Sequence, residues 1–114
     1  MSRSSVDRVD AALHALSDRT RRDILKRVLA GEQSVTKLAA KYEMSFAAVQ
    51  KHVAVLERSG LLIKRRSGRE QLASGDMDAI RAVTSTLDQF EAIWRAHIDR
   101  IDELLADDPP PKEI

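Results

Sequence analysis

The chain of 114 residues has the length of one small domain, and 43 % apolar with 32 % charged residues indicates a globular protein rather than a disordered one. It contains no cysteine, which excludes disulfides, thiolate metal sites and thiol catalysis, and no apolar run of about 18 residues that could span a membrane. The net charge of +1 is the sum of two different segments, because residues 34–73 carry a net +5 and residues 76–108 a net −6.

Three helices are predicted after a flexible N-terminus at residues 1–5. The apolar residues of the first recur at steps of three and four, at Val6, Val9, Leu13 and Leu16. Ser17 or Asp18 can cap the second, which ends at Gly31. Its predicted apolar face comprises Ile24, Leu25, Val28 and Leu29. Ser34 can cap a short third helix that ends near Lys41.

A fourth helix and a basic hairpin follow. After a break at residues 42–44, Ser45 is predicted to cap a helix over residues 45–59, which stops at Gly60. Residues 61–73 then form two short extended runs around Ser67-Gly68, a pattern typical of a β-hairpin. Its basic residues are Lys64, Arg65, Arg66 and Arg69.

The last predicted helix is long, from about residue 77 to 105, and Asp76 can cap it. Its apolar residues form a coiled-coil-like seam at Ile80, Val83, Leu87, Phe90, Trp94, Ile98, Ile101 and Leu105. A seam of this length favours pairing with a second copy of the chain. Three prolines predict that residues 107–114 are a disordered tail, so the domain is expected over residues 6–106.

The predicted order is α-α-α-α-β-β-α, mainly α with a small β-hairpin. A helix, a short break and a helix followed at once by a basic hairpin are typical of a winged helix-turn-helix. A helical bundle with a hairpin of no functional importance is the alternative.

The fourth helix divides into two faces on a helical wheel. Val49, Val53 and Leu56 point inward, together with Ala48 and His52. The outward face is small and polar, which suits close approach to DNA, and a glutamine can both donate to and accept from adenine. The predicted DNA contacts of this helix are Ser45, Phe46, Ala47, Gln50 and Lys51.

Several of these residues keep an alternative role. Phe46 can meet a thymine methyl group or pack at the edge of the core. The hairpin residues Lys64, Arg65, Arg66 and Arg69 can contact phosphates and the minor groove, or protect a sheet edge from aggregation. Arg21 can contact the DNA backbone or pair with a nearby carboxylate. The three histidines lie on apolar helical faces, where packing is the usual explanation.

The segments "ALSDRTRRDIL" and "MSFAAVQKHVAVLERSGLL" resemble the ArsR/SmtB family of bacterial winged-helix repressors, over residues 13–105. The resemblance implies a homodimer whose first and last helices form the interface, and repression from operator DNA. The implied interface residues are Val6, Val9, Leu13, Leu87, Phe90, Trp94, His97, Ile98, Ile101 and Leu105.

The metal sites of many relatives are not expected here. Aligning Asp88 with the start of the last-helix ligand pattern puts Phe90, Ile101 and Leu104 at the other ligand positions, and none of these can bind a metal. An atypical site of His97 with neighbouring carboxylates stays open.

The expected function is a transcriptional regulator whose partners are double-stranded operator DNA and a second copy of the chain. No enzymatic activity, cofactor, metal or membrane is expected, and the cell compartment is expected to be the bacterial cytoplasm, at the nucleoid. The alternative is a winged-helix module that binds another protein and does not read DNA. The sequence names neither the operator nor an effector.

Overall fold

The computed structural model describes residues 4–107. Its elements in chain order are α1 (Ser5–Ala15), α2 (Arg19–Ala30), β1 (Gln33–Ser34), α3 (Val35–Ala39), α4 (Phe46–Arg58), β2 (Leu62–Ser67), β3 (Glu70–Gly75) and α5 (Met77–Asp107). The chain divides into two compact units, the first reaching Val83 and the second beginning at Thr84. No helix among the described residues is long and apolar enough to cross a membrane.

Side chains cap the helices largely where the sequence predicted caps. Asp18 accepts from the amide of Arg21 at 3.0 Å, and Ser45 from that of Ala48 at 3.0 Å. Ser34 accepts from Lys37 at 3.5 Å, while Ser17, the alternative cap of α2, donates its hydroxyl to a carbonyl of α1. Helix α1 begins at Ser5, within the predicted flexible N-terminus, and is capped by Ser4. Residues 1–3 lie outside the described range, as does the predicted tail of residues 107–114 except its first residue, which ends α5.

The hairpin belongs to a three-stranded antiparallel sheet in the order β1-β3-β2, so the predicted element order lacked one strand. The missing strand β1 has two residues, and Gln33 pairs with Ala73 of β3 while Ser34 pairs with Leu72. So short a strand has no sequence periodicity and exists only because β3 lies beside it. The turn comprises Gly68 and Arg69, one residue later than predicted, and Gly68 has a φ of +63° that suits glycine.

The core of the first unit lies between α2, α3, α4 and the sheet. Its largest fully buried side chains are Ile24, Val28, Leu38, Val49, Val53, Leu56, Leu61 and Leu62. Helix α1 contributes the buried residues Ala12 and Ala15, while Val6 and Leu13 of its predicted apolar face are 68 % and 41 % exposed. Leu29, on the predicted apolar face of α2, is 38 % exposed.

The second unit is the helical segment of α5 from Thr84 onward, described here by itself. Its large apolar side chains are all exposed in the single chain, at Leu87, Phe90, Ile93, Trp94, Ile98, Ile101, Leu104 and Leu105. Ile93 and Leu104 widen the stripe beyond the predicted seam. The ring of His97 lies 5.6 Å from that of Trp94, centroid to centroid.

Candidate nucleic-acid interface

A small polar cluster fixes the turn that precedes α4. The hydroxyl of Tyr42 donates to Asp23 of α2 at 2.6 Å, Arg27 donates to the same oxygen at 3.0 Å, and the guanidinium lies 5.6 Å from the centre of the Tyr42 ring. Burial and the bond to Asp23 raise the pKa of Tyr42 to about 12, while the two donors lower the pKa of Asp23. The start of α4 is therefore anchored to α2 by side chains as well as by packing.

Helix α4 has a buried face and an exposed face, as the wheel predicted. Val49, Val53 and Leu56 are at most 1 % exposed. Ala47, Gln50 and Lys51 are exposed, and within the described residues no partner occupies the two polar side chains. A deeply seated helix thus presents free hydrogen-bonding groups from its N-terminal half, where recognition helices contact bases.

Two residues at the start of α4 refine this face. Phe46 is 46 % exposed, so it does not belong to the core, and its contact with a base stays a prediction. The side chain of Ser45 is occupied by the amide of Ala48, so what this end offers a phosphate is backbone N–H groups and the positive end of the helix dipole.

The four basic residues of the hairpin, hereafter the wing (Leu62–Gly75), are not equivalent. Arg65 makes two hydrogen bonds with the carboxylate of Glu32, at 2.8 and 2.7 Å, which raises the pKa of Arg65 and lowers that of Glu32. Lys64 is half-buried and lies 3.4 Å from Glu57 of α4. Arg66 and Arg69 are exposed and have no charged partner among the described residues. The wing therefore carries two available cations and two that are paired within the fold, and contact of all four with DNA stays a prediction.

Strand geometry places one of the available cations on the α4 side of the wing. Side chains of a strand alternate between its faces, so Arg66 shares a face with Lys64, while Arg65 lies on the opposite face. Because Lys64 reaches Glu57 of α4, Arg66 is on the side of the reading helix. Arg69 occupies the turn at the tip.

The sequence prediction that Arg21 contacts DNA is not supported by its surroundings. Its side chain is only 13 % exposed, and its Nε donates to the carbonyl of Ala15 at 2.7 Å. Further contacts reach His14, Asp18 and His52. The guanidinium is thus occupied within the fold, and Arg21 is not part of the proposed interface.

The histidines differ from one another in environment. His52 is half-buried and contacts Arg21, in keeping with its predicted inward position. His14 and His97 are exposed. The prediction that the histidines pack on apolar faces was wrong for His14, because His14 lies on the surface of the unit that contains it. No group of three metal-ligating side chains occurs in the part of the chain described.

Sequence reasoning missed the carboxylates that pair with the wing. Glu32 lies 33 residues from Arg65 in the sequence, and no periodicity links them. Alternation along β2 could have indicated that Lys64 and Arg65 lie on opposite faces, but not which face meets α4.

Comparison with known proteins agrees with this geometry. The family described as a helix-turn-helix domain matches residues 16–65. The HTH-type transcriptional regulator Rv2034 of Mycobacterium tuberculosis is 35 % identical over 81 residues, which are 71 % of this chain and 76 % of that protein. An ArsR-like transcriptional regulator from Rhodococcus sp. RHA1 is 27 % identical with a TM-score of 0.75, over 87 % of this chain and 93 % of that one.

A further solved structure shares the fold. The homodimeric winged helix-turn-helix DNA-binding domain Mb0332 from Mycobacterium bovis has a TM-score of 0.60 at 23 % identity, over 83 % of this chain and 85 % of that one.

Proposed function

The chain belongs to the ArsR family of winged helix-turn-helix transcriptional regulators, and we propose that it is a homodimeric repressor that binds a palindromic operator through α4 and the wing. The observation that carries this proposal is the exposed face of α4, where Ala47, Gln50 and Lys51 project from a helix whose other face buries Val49, Val53 and Leu56. A rigid helix with unpaired donors and small residues suits the major groove.

The division of labour follows from side-chain chemistry. Gln50 can form a bidentate pair with adenine, and it supplies sequence selectivity. Lys51, Arg66 and Arg69 supply phosphate contacts, which position the protein without selecting a sequence. The amides at the start of α4 add a phosphate site beside the reading face.

Dimerisation would supply the second half-site. The apolar stripe of the second unit and the exposed residues Val6 and Leu13 of α1 are surfaces that water disfavours. The Mycobacterium bovis relative of the same fold is described as homodimeric. Two reading helices would then enter successive major grooves, with half-sites about one helical turn apart. The acidic charge of residues 76–108 suits a dimerisation segment that stays off the DNA.

Selection of bound sequences from a random duplex pool tests the proposal directly. The expected product is a palindrome whose half-sites are about 10 base pairs apart, centre to centre. Affinity that falls steeply with salt is required of any DNA-binding protein. Failure to bind duplex DNA at low salt would instead favour the protein-interaction module.

Two variants then separate selectivity from general affinity. Gln50→Ala should lower discrimination between the selected site and random duplex by roughly 1–3 kcal/mol, whereas Gln89→Ala, which removes a glutamine of α5, should not. Arg66→Ala should weaken all duplexes alike and flatten the salt dependence by about one unit per subunit. Retention of full discrimination by Gln50→Ala would place the reading face elsewhere.

A further inference from the structure

We propose that Arg21 and His52 are positioning residues for DNA recognition, which hold the reading helix α4 at the α1–α2 junction only while His52 is neutral. The inference rests on the proposed function, because it concerns how α4 is presented to the operator. Neither side chain is placed among the DNA contacts, and both lie behind the reading face.

Arg21 joins three helices with one planar group. Its Nε donates to the carbonyl of Ala15 at 2.7 Å and its Nη2 to that of His14 at 3.3 Å, so it satisfies carbonyls at the end of α1. Its own amide donates to Asp18, the cap of α2. Its Nη1 lies 3.4 Å from Nδ1 of His52 on α4. A lysine in this place has no planar fork and cannot make this set of contacts.

The contact between Arg21 and His52 calls for a hydrogen-bond acceptor on the histidine ring. A guanidinium only donates hydrogen bonds, so a hydrogen bond at this contact needs Nδ1 of His52 as its acceptor, which a neutral ring with its proton on Nε2 supplies. His52 follows Gln50 and Lys51 directly in α4 and is half-buried. A change in how this ring is held therefore acts on the helix segment that carries the reading side chains. Recognition geometry tolerates displacements of only about 0.5 Å.

Protonation of His52 would reverse this contact. Nδ1 would become a donor and would face the guanidinium of Arg21 at 3.4 Å as a like charge. Among the described residues, the other charged group that contacts the ring is the carboxylate of Asp18, whose Oδ1 lies 4.0 Å from Nδ1 and already accepts from the amide of Arg21. A protonated ring is thus attracted to Asp18 and repelled by Arg21, and the neutral arrangement that links α4 to the α1–α2 junction is lost.

The test measures the affinity for the selected operator and for random duplex at pH 8 and pH 5.5, on the full chain. We use the ratio of the two affinities because protonation adds positive charge that strengthens binding to any duplex. For the wild-type chain, this ratio should fall about tenfold between pH 8 and pH 5.5. His52→Gln keeps an acceptor that cannot be protonated, and its ratio should stay near the wild-type value at both pH values.

Two further variants complete the set. His52→Leu, which removes the acceptor, should have a ratio about tenfold lower at both pH values. His14→Gln, which changes an exposed histidine, should follow the wild-type profile. Thermal unfolding of each variant at both pH values shows whether the loss of selectivity occurs in folded protein.

The proposal is overturned if the wild-type ratio is independent of pH, a result that needs no variant. It is also overturned if His52→Leu retains the wild-type ratio at pH 8 or if His52→Gln shows the same fall as wild type. A wild-type chain that binds no duplex selectively at either pH contradicts the proposed function itself, and is distinct from selective binding that lacks a pH dependence.

Discussion

Replacing Glu32 with glutamine is expected to strengthen DNA binding, because it releases a wing arginine that the protein itself neutralises. Arg65 donates from Nε and Nη2 to the two carboxylate oxygens of Glu32 at 2.8 and 2.7 Å. The Arg65 side chain is nevertheless 58 % exposed, so it needs no rearrangement of the core to turn toward a phosphate. A glutamine retains the shape of the side chain but loses its charge.

The expected size follows from counterion release. Each added phosphate contact steepens the dependence of the logarithm of affinity on the logarithm of salt by about 0.9, which corresponds to roughly fivefold tighter binding at about 0.15 M salt. A dimer carries two wings, so the slope should change by about 1.8 in total. The pair is exposed, and its loss should leave the thermal unfolding midpoint nearly unchanged.

The assay is a salt titration of random-duplex binding by fluorescence anisotropy. Glu91→Gln is the matched control, because Glu91 forms a similar exposed pair with Arg95 on α5 and its replacement changes the net charge equally. In the wild-type chain, Arg65→Ala should cost less affinity than Arg66→Ala. A salt slope for Glu32→Gln that equals that of wild type, or an equal change for Glu91→Gln, would refute the reasoning.

Three further predictions concern the fold and the assembly. Gly75→Ala should destabilise the protein by about 1–3 kcal/mol in denaturant unfolding, because the added Cβ would lie 2.8 Å from Cγ of Leu29; adding Leu29→Ala should cost less than the two single changes together. The pKa of Tyr42 is raised from its ordinary value of 10.0 to about 12, so Tyr42 contributes stability that is fully present below pH 10.0 and is lost as the pH rises through about 12. Tyr42→Phe should therefore flatten the loss of stability at alkaline pH. An unchanged profile would contradict the hydrogen bond from Tyr42 to Asp23. Trp94→Asp should give monomers in analytical ultracentrifugation, because it would bury a charge in the predicted interface, whereas Ala92→Asp, on another side of α5, should remain dimeric. A dimeric Trp94→Asp would contradict the apolar seam of α5 as the dimer interface.

Local signals in the sequence were sufficient for the helices and the wing. The caps Asp18, Ser34 and Ser45 each accept a hydrogen bond from the backbone amide three residues later, and such short-range contacts can be predicted from the sequence. The 3.6-residue period also separated buried Val49 from exposed Gln50.

Long-range pairing was not predictable in the same way. Strand β1 and the Arg65–Glu32 pair exist because segments about 30 to 40 residues apart meet in the fold, and no local sequence pattern indicates which distant segments meet. The contacts of Arg21 were not predictable for the same reason, since its position at the start of α2 is compatible with either DNA or the end of α1, and only the packing of α1 brings its guanidinium to the carbonyl of Ala15.

Asp76 is the single residue between the wing and α5. Its amide donates to the carbonyl of Leu61 at 2.9 Å, and its carboxylate accepts from the amide of Asp78 at 2.9 Å, so one residue closes the base of the hairpin and opens the helix. No connecting loop exists there to absorb an insertion or to be exchanged. In a chimera with another member of the family, the wing and the first turn of α5 would therefore have to be transplanted as one block.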